Sequence, residues 1–275
     1  MIKRNLIKLR ESLKKYIEYI SYSEFYFPDK PLSYVLIPDG YTGLIIQNVP
    51  FSEFKLNKRG YVRPERCFIL GQTKRAILAN YYSGCRYFVK FKPWGAHYFL
   101  SAPMNIFAER AVGLEKALGS YGEKMGELVL KAMDKDNAAV ILQDILEKRI
   151  AYNIASKKID DDENIIETVK KIIESKNLTR VVEILETSYY GKRHLNRKFN
   201  TIIGLNPKTF IKIVRLHKCL EKIRLGKVVQ QEILLKEFGY YDRSHMMREF
   251  KDTLRLTPNS YLEEMYKLSA KVIFK

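Results

Sequence analysis

Basic, amide and thioether side chains occur in two similar groups in the C-terminal third of the chain. An arginine can donate two hydrogen bonds to guanine O6 and N7, an asparagine can pair in the same way with adenine, and a methionine can contact the thymine methyl group. Lysine and arginine also bind phosphates. The candidate DNA-binding residues are therefore, in the first group, Lys192, Arg193, Asn196 and Arg197, and in the second group, Arg243, Ser244, Met247 and Arg248.

The two groups belong to an internal repeat. Residues 188–210 align without a gap with residues 239–261, at an offset of 51 positions, and seven of the 23 aligned pairs are identical. The identical pairs are Tyr189/Tyr240, Tyr190/Tyr241, His194/His245, Arg197/Arg248, Phe199/Phe250, Leu205/Leu256 and Pro207/Pro258. Chance is a poor explanation for this agreement, so the candidate residues lie in two copies of one structural unit.

Each copy is expected to form a helix-turn-helix unit. A short helix with periodic apolar residues precedes each copy, over residues 181–185 and 233–238. After a tight turn, a second helix directs Leu195 and Phe199 inward in the first unit, and Met246 and Phe250 inward in the second. In this arrangement the second helix can enter the major groove of DNA, with its outer face toward the bases.

A single helix is predicted between the two copies. It runs over residues 207–226, with Pro207 in its first turn and Gly226 at its end. About 19 residues at roughly 1.5 Å each give a rod of about 28 Å. Successive major-groove faces are about 34 Å apart, so one chain could read two adjacent groove segments.

The C-terminal part resembles the AraC/XylS family of bacterial transcription regulators. The resemblance covers residues 164–262 and depends on the second unit's motif, Gly239-Tyr240, Ser244-His245, Arg248 to Lys251, Thr257-Pro258 and Tyr261. It implies that the candidate residues from Arg193 to Arg197 and from Arg243 to Arg248 face bases or nearby phosphates. The sequence departs from the family at Arg255, where glycine is usual, at Gly191, where a serine cap is usual, and at Leu235, where a small residue is usual.

The histidines and cysteines form no pattern that suits catalysis or metal binding. His97 is the only histidine of the β-rich region, and His217 has no companions for a nucleophilic site. His194 and His245 occupy equivalent repeat positions, which favours a packing or phosphate role. The three cysteines are far apart and form no zinc motif or disulfide framework: Cys67, Cys85 and Cys219. We expect no enzyme activity, no cofactor and no metal ion.

The charge of the chain indicates a polyanionic partner. The 49 Lys and Arg outnumber the 31 Asp and Glu, for a net charge of +18. Residues 177–275 hold 20 basic and 10 acidic residues, so more than half of the excess lies in about a third of the chain. Net charge alone leaves two partners open, nucleic acid and an anionic membrane surface.

The first 20 residues are predicted to form an amphipathic basic helix. Apolar residues recur at alternating three- and four-residue steps from Ile2 to Ile20, and lysines and arginines interrupt any apolar run of the kind a signal peptide needs. Three uses of this helix are open: a lid packed on the next domain, a dimerising coiled-coil seam, or a membrane-surface helix.

Residues 21–155 are expected to form a sensing or dimerisation domain of short strands with a helical extension. Strands are predicted at 33–38, 44–49, 67–70, 75–79 and 85–91, and helices from about Met104 to Ser156. The run from Pro38 to Ile46, Pro50-Phe51, Gly71-Gln72 and Phe91 to Gly95 resembles the cupin-like domains fused to AraC-type regulators. A linker at 156–163, a DNA-binding domain at 164–265 and a tail at 266–275 complete the expected layout.

The expected fold class is α+β, with a cupin-like β-barrel or sandwich and accessory helices followed by an all-α tandem helix-turn-helix domain. The expected function is that of a cytoplasmic, sequence-specific transcription regulator that binds double-stranded DNA and is controlled at its N-terminal domain. A small-molecule effector, RNA polymerase and a second copy of the chain are the further partners that this layout allows, without stable membrane association. Two alternatives are a cupin-like enzyme with an accessory DNA-binding domain and a basic protein of the membrane surface.

Overall fold

A computed structural model describes residues 1–57, 60–133, 137–159, 161–175, 188–224, 235, 237–255 and 272–274. Its strands are β1 (Ile2–Ile7), β2 (Ile17–Phe25), β3 (Leu32–Leu36), β4 (Thr42–Gln47), β5 (Ser52–Asn57), β6 (Gly60–Val62), β7 (Cys67–Leu70), β8 (Ile77–Tyr81), β9 (Gly84–Phe91), β10 (Ala111–Gly113) and β11 (Val272–Phe274). Its α-helices are α1 (Gly95–Leu100), α2 (Leu114–Leu118), α3 (Ser120–Met133), α4 (Ala138–Ala155), α5 (Glu163–Glu174), α6 (Lys192–Ile202), α7 (Pro207–Arg224) and α8 (Arg243–Leu254). Short 3-10 helices cover Glu11–Leu13 and Met104–Ile106.

The strands form two sheets. One has seven strands in the order β10-β7-β4-β9-β2-β1-β11, and the other has four in the order β3-β8-β5-β6. Neighbouring strands are antiparallel except β1 and β11, which pair in parallel from Ile2↔Val272 to Arg4↔Phe274. The expected α+β class is confirmed, with a β-sandwich and accessory helices followed by helices. The strand β11 is an addition to the C-terminal part, where the sequence predicted a tail.

The large sheet buries both of its faces. Side chains alternate along β9, so that Tyr87, Val89 and Phe91 join the main apolar core with the helices. Phe88, on the opposite face, packs on a second core shared with the small sheet, whose buried side chains include Phe54 and Tyr81. A sheet covered on both sides reads in the sequence as nearly continuous apolar runs, as in β4, where all six residues are buried.

The helix predicted over residues 1–20 is wrong. The segment contains β1, a 3-10 turn at Glu11–Leu13 and the start of β2, and β1 pairs with β2 from Ile2↔Phe25 to Ile7↔Ile20. Leu6, one residue of the supposed apolar face, is 64% exposed. A short apolar period is a weak local signal, and pairing with β2 satisfies the backbone of these residues within a large sheet.

The helical predictions of the second half agree with the structure where it is described. Asp162 caps α5 by accepting a hydrogen bond from the Ile165 amide at 3.2 Å. The connecting helix α7 begins at Pro207, and the Asn206 side chain accepts from the Thr209 amide at 2.8 Å. The predicted linker, residues 156–163, begins directly after α4, and its last residue, Glu163, is the first residue of α5.

The C-terminal helices pack directly on the β-rich part. One apolar core includes Phe91 and Phe99 from the first part and Phe199 and Phe210 from the second. Polar contacts accompany this packing: Gln72 Nε2 donates to the Ile203 carbonyl at 2.7 Å, and the Ala76 amide donates to the Thr253 carbonyl at 2.6 Å. The positions of α6, α7 and α8 therefore depend on the β-rich part.

Within the described residues, no helix is both long and apolar enough to cross a membrane.

Candidate nucleic-acid interface

The first candidate recognition helix is α6. It begins after Gly191, whose backbone is extended (φ −62°, ψ 154°). Glycine has no side chain to cap the helix, whereas a serine is usual at this position in the AraC/XylS family. Leu195, Phe199 and Ile202 are buried on its inner face, as the periodicity predicted. The chain leaves α6 through Gly204, which has a left-handed φ of +89°.

The outer face of α6 presents the predicted basic residues. Lys192, Arg193 and Arg197 are exposed, and Asn196 is half-buried. The Asn196 amide nitrogen donates to the Lys192 carbonyl at 2.9 Å, which leaves its side-chain oxygen as an acceptor. Arg197 Nη2 lies 3.3 Å from His194 Nδ1, so the histidine holds part of this guanidinium against the helix.

The second candidate recognition helix is α8. Asp242 caps it by accepting a hydrogen bond from the His245 amide at 2.6 Å. Arg243, Ser244 and Arg248 are exposed, as predicted. Met247 differs from the expectation in part, because its side chain is half-buried and packs against the main core.

Each helix forms an ion pair on its inner side through a charged residue at the same repeat position. This residue is Lys198 in the first unit and Glu249 in the second. Lys198 Nζ lies 3.0 Å from Asp162 Oδ2, which also accepts from the Tyr190 hydroxyl at 2.8 Å. This arrangement attaches α6 to the start of α5. Because Asp162 is almost fully buried, loss of Lys198 would leave a carboxylate charge without its ion pair.

The second unit uses the same position with the opposite charge. Glu249 is buried, accepts from the Tyr240 hydroxyl at 3.2 Å and lies 3.7 Å from Arg215 Nη1 on α7. The Arg215 guanidinium lies over the Tyr240 ring at 5.1 Å. The sequence analysis did not predict either of these buried ion pairs. The signal that could have revealed them is that the aligned residues Lys198 and Glu249 are both charged although they lie on the inward-facing sides of their helices.

The repeated tyrosines also divide their roles. Tyr240 is buried while its counterpart Tyr189 is 80% exposed, and Tyr241 is 92% exposed while its counterpart Tyr190 is half-buried. Each unit therefore presents one free phenol next to the start of its recognition helix. Tyrosine hydroxyls are common hydrogen-bond partners of DNA phosphates. The identity of the aligned tyrosines in the sequence did not show which of them are exposed and which are packed in the core.

The histidines at the equivalent positions 194 and 245 pack against these tyrosines. The His194 ring stacks on Tyr190 with centroids 4.5 Å apart, and His245 lies edge-on to Tyr240 at 5.7 Å. The His245 Nδ1 atom accepts from the Tyr241 amide at 3.5 Å. These contacts favour the packing role over the phosphate role for both histidines.

The leading helix of the first unit, predicted at residues 181–185, lies outside the described residues. In the second unit, Ile233 and Leu234 also lie outside them, whereas Leu235 and Phe238 are helical and Phe238 is buried. The Leu235 carbonyl accepts from the Tyr240 amide at 3.0 Å, which closes the turn before α8.

The structure gives the surroundings of the histidine and the cysteines of the β-rich part. No cluster of three or more His, Cys, Asp and Glu residues in the described part of the chain could hold a metal ion. His97 Nδ1 lies 3.0 Å from the Ala102 carbonyl at the end of α1. Burial raises the pKa of the Cys67 thiol to about 11, so this cysteine is protonated at neutral pH.

Two exposed, basic helix faces on a repeated scaffold define a DNA-binding protein of the helix-turn-helix class. Residues 186–264 match the family model described as a helix-turn-helix domain, and residues 8–113 match a domain of unknown function (DUF6597). The first match confirms the resemblance of the C-terminal part to the AraC/XylS family of transcription regulators.

The solved structures similar to this chain include ToxT from Vibrio cholerae and the AraC-like transcriptional activator CuxR. ToxT from Vibrio cholerae O395 is 12% identical, with 89% of this chain and 97% of that chain covered and a TM-score of 0.44. ToxT from strain SCE256 with a bound unsaturated fatty acid is 13% identical, with coverages of 86% and 92% and a TM-score of 0.39. The AraC-like transcriptional activator CuxR is 8% identical, with coverages of 98% and 86% and a TM-score of 0.27. No curated protein matches the chain in sequence.

Proposed function

We propose that this protein is a cytoplasmic, sequence-specific transcription regulator whose helices α6 and α8 read adjacent segments of the DNA major groove. The observation that carries the proposal is the equivalence of the two helices. Arg197 and Arg248 point outward from the same repeat position. The next residue of each helix, Lys198 or Glu249, forms an ion pair on the inner side.

In this function the candidate residues divide the work. Arg193, Asn196 and Arg197 of α6 contact bases or nearby phosphates, as do Arg243, Ser244, Met247 and Arg248 of α8. Lys192 and the exposed tyrosines Tyr189 and Tyr241 bind phosphates, and the displaced counterions make the affinity depend on salt. Asn196 retains a free side-chain oxygen and Met247 exposes part of its side chain, so both can still reach a base edge.

The β-rich part then acts as the controlling domain. Its direct packing on α6 and α7 supports control by an effector, provided that the effector binds two arrangements of the helices with different affinity. RNA polymerase and a second copy of the chain are the protein partners that we propose for this regulator. The membrane-surface alternative required a helix over residues 1–20, and strands β1 and β2 occupy that segment instead.

Selection of DNA fragments with the purified chain tests this function. We expect enrichment of a common motif with two parts about one helical turn apart. On a selected site, Arg197→Ala and Arg248→Ala should each cost about 1–3 kcal/mol of binding free energy and relax specificity at a different part of the site.

Arg66→Ala is the matched control, because it removes an exposed arginine from the β-rich part. It should leave binding unchanged apart from a small, sequence-independent effect of net charge. If no motif is enriched, or if both recognition-helix variants bind like the Arg66 variant, the proposed reading of DNA by α6 and α8 is wrong.

A further inference from the structure

A cavity of about 250 Å³ lies between the two sheets of the β-rich part. Aromatic and aliphatic side chains form most of its wall, with Phe25, Phe54 and Phe88 among them. Two arginines, Arg4 and Arg86, also line it. Arginine is rare in such a position, since a charge in an apolar interior is unfavourable without an opposite charge or hydrogen bonds.

Aromatic rings surround Arg86. Its guanidinium carbon lies 4.6 Å from the centre of the Tyr81 ring and 4.8 Å from that of Phe25, and its charge interacts with the phenols of Tyr81 and Tyr34. The rings stabilise the charge from the faces of the guanidinium. Its Nε atom, however, is buried and has no hydrogen-bond partner among the described residues.

Two further polar atoms of the cavity wall are in the same condition. The Nε of Arg4 and the hydroxyl of Ser21 are buried and have no hydrogen-bond partner in the described part of the chain. Within the described residues, no carboxylate forms an ion pair with Arg4 or Arg86. The carboxylate that does line the cavity, Asp39, is already bound to Lys90, with Oδ2 2.8 Å from Nζ.

We infer that this cavity binds a small organic carboxylate with a compact apolar body, held by Arg86 and Arg4. A planar guanidinium matches a carboxylate with two parallel hydrogen bonds, and the Ser21 hydroxyl supplies a further donor. Burial raises the pKa of the Tyr34 phenol well above its ordinary value, so this group stays protonated and can also donate. The surrounding rings suit an apolar body.

The volume sets the size of this ligand. A cavity of roughly 150 Å³ accepts benzene. About 250 Å³ therefore suits one ring or a short alkyl chain together with its carboxylate. Benzoate, phenylacetate and hexanoate are probes of that size.

The turn over residues 38–40 connects the cavity to the DNA-binding part. Asp39 lines the cavity, while the neighbouring Pro38 carbonyl accepts a hydrogen bond from His217 Nε2 at 2.7 Å. Gly40 is so close to α7 that a Cβ atom there would lie 2.9 Å from the Phe210 ring. A ligand that moves this turn would displace α7, which connects the two recognition helices. This coupling, unlike the binding site itself, rests on the proposed function.

Titration calorimetry of the full chain without DNA tests the site. Each probe acid is compared with its amide, which has nearly the same shape and no charge. We expect at least one acid to bind at least tenfold more tightly than its amide. Equal binding of every acid and amide, or no binding by any acid, would overturn the inference.

Variants locate the carboxylate. Arg86→Met and Arg4→Met should each abolish the preference for acid over amide, whereas Lys3→Met should preserve it. Lys3 neighbours Arg4 on β1, is half exposed and pairs with Glu24 across the surface, so it is a matched control. If Arg86→Met does not fold, as judged by circular dichroism, Arg86→Lys and Arg4→Met decide the question. Retention of the full preference in both would overturn the assignment.

DNA binding with and without the bound acid separates the two proposals. A change of threefold or more in affinity for the selected site is expected. An acid that binds through Arg86 and leaves DNA affinity unchanged would overturn the coupling while the site stands. Arg197→Ala and Arg248→Ala should weaken DNA binding and leave acid binding unchanged. That result supports both the proposed function and the carboxylate site.

Discussion

Residues 204 and 255 are equivalent in the repeat. Each lies at the end of a candidate recognition helix, with its backbone in the left-handed region. Gly204 has a φ of +89° and Arg255 a φ of +57°. Glycine adopts this conformation freely, whereas other residues pay about 1–2 kcal/mol for it. Arg255 therefore strains the end of α8, where the sequence departed from the family.

We expect Arg255→Gly to stabilise the protein. Relief of the left-handed strain is offset by the greater freedom of glycine in the unfolded chain, about 0.4–1 kcal/mol, so the net gain should be at most about 1 kcal/mol. Urea unfolding measures it. Gly204→Ala should instead destabilise, because a Cβ there would lie 3.0 Å from the Met104 carbonyl oxygen. A loss of stability in the Arg255 variant would show that its side chain makes a contact stronger than the strain.

At the scale of elements, the two candidate recognition helices differ in how they begin. Asp242 caps α8 through the His245 amide, and Gly191 offers no side chain to α6. The aligned repeat shows this difference, because Gly191 of the first unit aligns with Asp242 of the second. Capping depends on one residue and its near neighbours, so local sequence determines it.

We expect Asp242→Ala to cost about 1 kcal/mol of folding stability, and Gly191→Ser to add a few tenths of a kcal/mol to about 1 kcal/mol. A Cβ at residue 191 meets no atom within 4 Å, so the serine fits without strain. Chemical denaturation of both variants against the wild type provides the measurement. Equal stability of the Asp242 variant and the wild type would contradict a stabilising cap.

Other elements could not be predicted from their own residues. The apolar spacing of residues 1–20 suits a helix, but pairing with β2 is decided by residues that follow along the chain. The buried pairs at 198 and 249 depend on Asp162 and Arg215, which are distant in sequence. The cavity around Arg86 exists only when both sheets have formed, because the strands that line it belong to both sheets and are far apart along the chain.

At the scale of the whole molecule, His217 lies where α7 meets the β-rich part. Its Nε2 bonds to the Pro38 carbonyl, and Asp39, Lys90 and Glu221 are the charged groups that act on it. Burial lowers the pKa of His217 below its ordinary value. Protonation is therefore less favourable in the folded protein than in the unfolded chain.

The sign of the pH effect follows. The contribution of His217 is fully present above the unfolded pKa of about 6.5 and is lost as the pH falls toward the lower folded pKa. We expect His217→Gln to show a smaller loss of unfolding free energy than the wild type between about pH 7 and 5. Urea titrations across this range measure the difference.

A control for this experiment is the same change at the half-buried His245, which lies away from this contact. If the His217 variant and the wild type lose the same free energy on acidification, the contact between α7 and residues 38–40 does not respond to pH.

The parallel pair of β1 and β11 has a consequence for synthesis. The strand that covers the outer edge of β1 follows it by more than 260 residues along the chain. At roughly 5–20 residues per second, this interval is about a quarter of a minute to a minute. During that time β1 is an open sheet edge on the ribosome, able to pair with any other extended chain nearby.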